Sequence, residues 1–244
     1  MKKFGYLVIA CVCAAALALV GCGNNGAASS SATADSESST KEAPAIDGGW
    51  EYQPLDEVHL DADAQKIFDN AAKGADAQKY TPVAVLATQV VAGMNYAFLC
   101  ETDANTWHIV AVYNDLQDKA SIISDEEIDV ANVKVAEIDQ PGGDENFAGA
   151  WEPIMPEGPA VISETSWIAF DDAMQNYTDI DLVPQATLGS QVVAGTNYRY
   201  LCAGEPAVKD PSTSLYIVDV YSDTDGKSQI SDVKYFDLLS YIDQ

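Results

Sequence analysis

Apolar positions along the chain change from a helical period to a period of two, and the same succession occurs twice. Ala64, Ile67, Phe68, Ala71 and Ala72 fall on one face of a helix that Lys73-Gly74 would end. Further on, Ser163 is placed to cap a second helix carrying Ile168, Ala169, Phe170 and Ala173. After the first helix come strand-like runs at Val83 to Val91, Asn95 to Cys100, Trp107 to Tyr113, Ser121 to Ile123 and Ile128 to Val135. After the second come Gln185 to Val193, Tyr198 to Cys202, Leu215 to Tyr221 and Val233 to Ile242. A helix followed by a meander of strands on short turns predicts an α+β unit, an antiparallel sheet with one helix packed across it. By alternation Tyr96, Phe98 and Cys100 share one face, as do Tyr198, Tyr200 and Cys202. That bulky face is expected against the helix, which makes Cys100 and Cys202 small buried hydrophobes in separate cores, with no histidine placed to activate either.

The succession is a duplication at the level of residues. Gly49-Trp50 recurs as Ala150-Trp151, Phe68 as Phe170, Gln89–Gly93 as Gln191–Gly195, Asn95-Tyr96 as Asn197-Tyr198, and Val112-Tyr113 as Val220-Tyr221. The spacing widens by six residues between the cysteine and the last pair, so the second copy carries an insertion in a loop at Glu205 to Ser214. Pro141-Gly142-Gly143-Asp144 is turn chemistry and marks a boundary. The chain divides into 1–21, 22–47, a first domain at 48–141 and a second at 148–244, two small domains in tandem.

The N-terminus changes the picture of compartment. Lys2 and Lys3 precede the apolar run Phe4 to Val20, the make-up of a secretory signal. Leu19-Val20-Gly21-Cys22 resembles the lipobox of bacterial lipoproteins. The resemblance implies cleavage before Cys22 and lipidation of that cysteine, hence an extracytoplasmic protein held to the membrane by its lipid. Residues 23 to 47 are rich in Ser, Ala, Asn and Gly without apolar period, a tether spanning about 25–30 Å as a coil. The formal net charge is −26, and loss of Lys2 and Lys3 deepens it by two. So acidic a chain lacks the Lys/Arg surface that phosphate contacts require, so nucleic acid is not an expected partner.

Chemistry-bearing motifs are scarce. After the signal only His59 and His108 remain, both in the first copy. No Cys-x-x-Cys, His-x-x-x-His or glycine-rich phosphate loop occurs. Asp223-Thr224-Asp225-Gly226 has two acidic positions of a calcium loop but not the rest of the ligand set, and reads as a solvated turn. The expectation is a protein that is not an enzyme and binds no metal or cofactor.

The two Gln-Val-Val-Ala-Gly segments resemble the Gln-x-Val-x-Gly signature of the cystatins, inhibitors of papain-like cysteine proteases. Gln191 to Tyr198 looks closely like the stefin branch, and the first copy differs there only in Met94. The resemblance covers nearly all of both copies. It implies two tandem cystatin-like domains, each a curved antiparallel sheet wrapped around one helix, and inhibition by filling a protease cleft with a three-part wedge. The glycine-tryptophan trunk would be Gly48 and Gly49 in the first copy and Gly149 in the second. The hairpins would be Gln89, Val90, Val91, Ala92 and Gly93, and Gln191, Val192, Val193, Ala194 and Gly195. The third part, a second hairpin, departs from the family: Leu116-Gln117-Asp118 in the first copy and Asp223-Thr224-Asp225-Gly226 in the second, with neither proline nor tryptophan. The implied partner is a papain-like cysteine protease of host or bacterial origin, met by a monomer. The alternative is a binding module for a non-protease surface or host partner.

Overall fold

Trp107 to Val112 is buried at every position, and that single run decides the architecture. A strand with one solvated face alternates; a strand buried throughout needs cover on both faces. A computed structural model describes residues 49–55, 60–73, 80–136, 149–156, 161–209 and 211–242. The first half contains β1 (Trp50–Tyr52), α1 (Ala62–Ala72), β2 (Tyr80–Val91), β3 (Gly93–Thr102), β4 (Trp107–Asn114) and β5 (Ala120–Ile128). The second contains β6 (Trp151–Pro153), α2 (Glu164–Met174), β7 (Ile180–Val193), β8 (Gly195–Pro206), β9 (Ser214–Ser222), β10 (Ser228–Tyr235) and α3 (Leu239–Ile242). Each half forms one five-stranded antiparallel sheet with its strands in chain order.

Each sheet divides its side chains between two cores. Phe98, Cys100, Val110 and Val112 join Ala64, Phe68 and Ala71 of α1. Tyr200, Cys202, Tyr216, Val218 and Val220 join Phe170 and Ala173 of α2. The alternate positions, Ala97, Leu99, Trp107 and Ile109 in one sheet and Leu201, Ala203, Leu215 and Ile217 in the other, meet in a third core common to both halves. The Trp107 indole N–H donates to two carbonyls of the second half, Ile154 and Leu188, each at 3.0 Å. Arg199 answers from the other side. It forks onto Asp219 at 2.8 and 2.7 Å, donates to the Val130 carbonyl at 2.8 Å and lies 4.1 Å over the Trp151 ring.

The helices are fixed at their starts and on their inner faces. Asp61 accepts from the Ala64 N–H at 2.7 Å to cap α1, and Ser163 caps α2 by accepting from Ser166 N–H at 3.2 Å. Ser166, fully buried, is gripped by the sheet beneath: Thr187 donates to its hydroxyl at 3.0 Å and Tyr200 to its carbonyl at 2.7 Å. Among the described residues no helix is long and apolar enough to cross a membrane.

The expected α+β class, with each sheet wrapped around one helix, is overturned. Among the described residues the structure is predominantly antiparallel β, with two five-stranded sheets and three short helices, two of them in the second half. Two physical causes account for the error. The helix covers only one face of each sheet, and the opposite face is closed by the other sheet. The run Val233 to Ile242 is also not one strand: β10 stops at Tyr235, Ser240 donates its hydroxyl to the Asp237 carbonyl at 2.8 Å, and the chain coils into α3. Leu238, Tyr241 and Ile242 thereby enter the shared core. Ile128 to Val135 departs similarly. β5 ends at Ile128, Asp129 turns the chain by accepting from Ala131 N–H at 2.9 Å, and Val135 makes an isolated bridge to Phe236. The boundary expected at Pro141-Gly142-Gly143-Asp144 lies outside the described residues.

A common core predicts cooperative unfolding. The segment 23–244 should melt in urea as one transition by circular dichroism and by tryptophan fluorescence. Trp107→Ala should lower stability by about 3–5 kcal/mol and shift both probes together. Two separable transitions, one per half, would refute the shared core.

Candidate functional site

Three chain turns are brought to one end of each sheet, and strand register does it. Trp50 pairs with Gln89, which sets the residue before it, Gly49, beside the β2–β3 turn. Met94 pairs with Asn114, which sets the β4–β5 turn beside the same tip on the other side. The second half repeats this with Trp151 on Gln191 and Thr196 on Ser222. Gly49, Val90–Gly93 and Leu116 therefore form one end surface in the first half. Gly149, Val192–Gly195 and the Asp223–Gly226 turn form its counterpart. Gly48 and Cys22 lie outside the described residues, as does His59.

The hairpins turn on a single residue, Ala92 or Ala194, because Val91 pairs with Gly93 and Val193 with Gly195. Such a turn needs glycine at its exit. Gly93 has φ +130° and Gly195 φ +125°, and a Cβ would stand 2.3 Å from the Asn114 carbonyl oxygen or 2.4 Å from that of Ser222. The tip carbonyls are held from the neighbouring strand: Tyr113 donates to Ala92 O at 2.6 Å, and Tyr221 donates to Ala194 O. The two valines of each tip are then displayed unequally. Val90 is 77% exposed and Val192 74%, with Val91 at 43%. Val193 is half-buried, and Ala92 and Ala194 are exposed.

The glutamines do something different from the residues that follow them. Gln191 is buried; its amide donates to the Gly149 carbonyl at 2.8 Å and accepts from Asn197 at 2.8 Å. Gln89 accepts from Asn95 in the same way and is half-buried. In the second half the glutamine thus brackets trunk to hairpin, and the apolar contact surface is left to Val192 and its neighbours. Sequence reasoning grouped all five motif residues as contact residues. The Gln/Asn spacing of six, with register placing the pair opposite each other, was the signal for a bracket.

The second turns share one backbone and differ in side chains. Asp115 accepts from Gln117 and Lys119 N–H at 2.8 and 2.9 Å, and Asp223 accepts from Asp225 and Lys227 N–H, both at 2.9 Å. The left-handed position is Asp118 in one (φ 59°) and Gly226 in the other (φ 81°). On this common frame the first half projects Leu116, 78% exposed, and the second Thr224 and Asp225. Asp223 is engaged in holding its own turn, and among the described residues no group of three or more His, Cys, Asp or Glu side chains is placed to hold a metal.

One arrangement escaped the sequence. His108 stands opposite Cys100 across β3 and β4, so a histidine is indeed beside that thiol. Both ring nitrogens are otherwise engaged, Nδ1 with Asp125 at 2.6 Å and Nε2 with Thr106 Oγ1 at 3.0 Å. Tyr80 donates to the other Asp125 oxygen at 2.6 Å, and Thr106 is linked to Thr102 at 2.7 Å. The chain of groups clasps the β3–β4 turn to β2 and β5. Burial, and then the Asp125 charge, push the Cys100 thiol well above its ordinary range; burial does the same to Cys202. Both are free thiols in separate helix-side cores.

No protein-family model matches the chain, and no curated protein matches it.

Two outcomes separate tip conformation from tip surface. Gly93→Ala should destabilise by about 1–3 kcal/mol, since it forces a side chain into a left-handed and occupied position. Val90→Glu, at an exposed site, should stay within about 0.5 kcal/mol of the parent in urea denaturation. Cys100 and Cys202 in the 23–244 segment should resist iodoacetamide until denaturant unfolds the chain. Rapid labelling of either thiol in the native protein would contradict the buried assignment.

Proposed function

We propose that the chain inhibits papain-like cysteine proteases by occlusion, its hairpin tips entering the active-site cleft without covalent chemistry. The observation that carries the reading is the display of Val90 and Val192, about three-quarters exposed, on turns fixed by Gly93 and Gly195 and by the Tyr113 and Tyr221 hydroxyls. Exposed apolar side chains on a rigid narrow projection suit a slot-shaped apolar partner. Burying one such valine contributes about 1.5–3 kcal/mol before association costs. The likeness of both Gln-Val-Val-Ala-Gly segments to the cystatin signature supports the same partner class. Tethering through a lipid on Cys22 would hold the inhibitor on the outer side of the membrane, where secreted proteases are met.

Both tips lie outside the shared core, so each remains available. Leu116 adds apolar surface to the first tip, whereas the second tip is flanked by Thr224 and Asp225. That polar turn favours a second reading for the second half, a binding site for a non-protease surface partner.

The test is titration of papain with the 23–244 segment while residual peptidase activity is followed. Inhibition is expected at micromolar concentration or below, on the order of −8 kcal/mol. Val90→Glu should weaken the first site by about tenfold or more, equivalent to about 1.4 kcal/mol, and Val192→Glu should act on the second. The combined variant should be inert while retaining its circular dichroism. Undiminished activity of papain and of cathepsin-like proteases at micromolar inhibitor would dispose of the proposal.

A further inference from the structure

Each hairpin tip holds one carbonyl that lies beyond its own strand ladder. Val91 pairs with Gly93 and Val193 with Gly195, so the turn between them is a single residue, Ala92 or Ala194. A tyrosine of the next strand supplies the donor for that residue's carbonyl. Tyr113 pairs with Asn95 and Tyr221 with Asn197. Each phenol nevertheless reaches past its partner and across the glycine, Tyr113 to Ala92 O at 2.6 Å and Tyr221 to Ala194 O. The glycine is what admits the ring. A Cβ on Gly93 would stand 2.9 Å from Tyr113 Cε2, and one on Gly195 would stand 3.0 Å from Tyr221 Cε2, both tighter than ordinary van der Waals contact.

The same latch occurs in both halves, although the sheets behind it have diverged. The register pair Ala97–Ala111 of the first sheet is Arg199–Asp219 in the second, and the adjoining turn carries Leu116 in one half and Thr224 with Asp225 in the other. Core packing does not account for the tyrosines. Tyr113 and Tyr221 are half-buried and belong to none of the three cores. Their placement serves the tip. We propose that Tyr113 and Tyr221 are positioning residues, whose hydroxyls hold each tip in the conformation that docks, so that the partner meets a turn already ordered. The inference rests on the occlusion reading above and gives a role in binding to two residues outside the Gln-Val-Val-Ala-Gly motif. An ordered turn loses less freedom on association. Without the hydroxyl, only the fraction of molecules with a formed tip can dock, and the apparent affinity falls by that fraction. The net worth of one hydrogen bond sets the loss at about three- to tenfold.

The experiment removes the hydroxyl and keeps the ring. Tyr113→Phe is made in the 23–244 segment carrying Val192→Glu, which leaves the first tip to be read by itself. Papain inhibition should weaken about three- to tenfold, with the loss in the association rate. Amide exchange of the unbound protein should quicken at 92–94, while the urea midpoint stays near that of the parent. Tyr80→Phe is the control. It removes a phenol bond of the same length, 2.6 Å to Asp125, at the other end of β2, and should leave inhibition unchanged. Tyr221→Phe in the otherwise unmutated segment should quicken exchange at 194–196, a readout that needs no protease. Inhibition by Tyr113→Phe equal to that of its parent, or an equal loss in Tyr80→Phe, overturns the positioning role while occlusion stands. Unaltered exchange at either tip overturns it too. If the Val192→Glu parent does not inhibit, occlusion by the first tip falls, and this inference falls with it.

Discussion

Burial of the two sheets against each other is the constraint on which the rest depends. Leu86, Leu99, Trp107 and Ile109 from one half and Leu188, Leu201, Leu215 and Ile217 from the other occupy a single buried layer. α1 and α2 lie on the opposite faces, so on this side each set is covered by the other, with Leu238, Tyr241 and Ile242 beside them. Trp107 makes the dependence specific. Its ring is fully buried and its one donor is shared by two carbonyls of the partner half. Separating the halves would expose the ring and leave both carbonyls to find water. The tips gain from this arrangement without taking part in it. Long strands anchored in a packed layer carry short turns beyond its edge, and side-chain brackets fix the last residues.

Much of this was legible in the sequence for identifiable reasons. The helical faces of α1 and α2, the Ser163 cap, the β2–β3 and β7–β8 hairpins and the burial of Cys100 and Cys202 all follow from local periodicity and local chemistry. The shared layer did not follow from the duplication, which suggested two cores. The clue was present in Trp107 to Val112, where both alternating sets are apolar but for His108, and in Ala97 and Leu99 standing between Tyr96, Phe98 and Cys100. Reading only the bulkier face supplied the helix side and overlooked the sheet side. α3 was invisible for another reason: an apolar run at the end of a strand carries no period long enough to distinguish strand from a single helical turn, and tertiary contact decided it.

The candidate site was legible in part. Exposure of Val90, Ala92, Val192 and Ala194 agrees with apolar residues at a hairpin tip. The division of labour within the motif was hidden, because Gln191 acts through a carbonyl 42 residues away and no local pattern reports that. The two ends also differ more in the structure than in their shared motif. A common turn backbone presents leucine in one half and threonine with aspartate in the other.

Occlusion by the tips is the central claim, and amide hydrogen exchange tests it where contact would occur. The 23–244 segment is compared alone and with papain whose active-site thiol has been blocked, so that binding is separated from turnover. The account predicts added protection at 90–94, at 115–118 and at 192–196, with the shared core unchanged. Protection confined to the sheet edges or the helices, with the tips exchanging as freely as in the unbound chain, would contradict it.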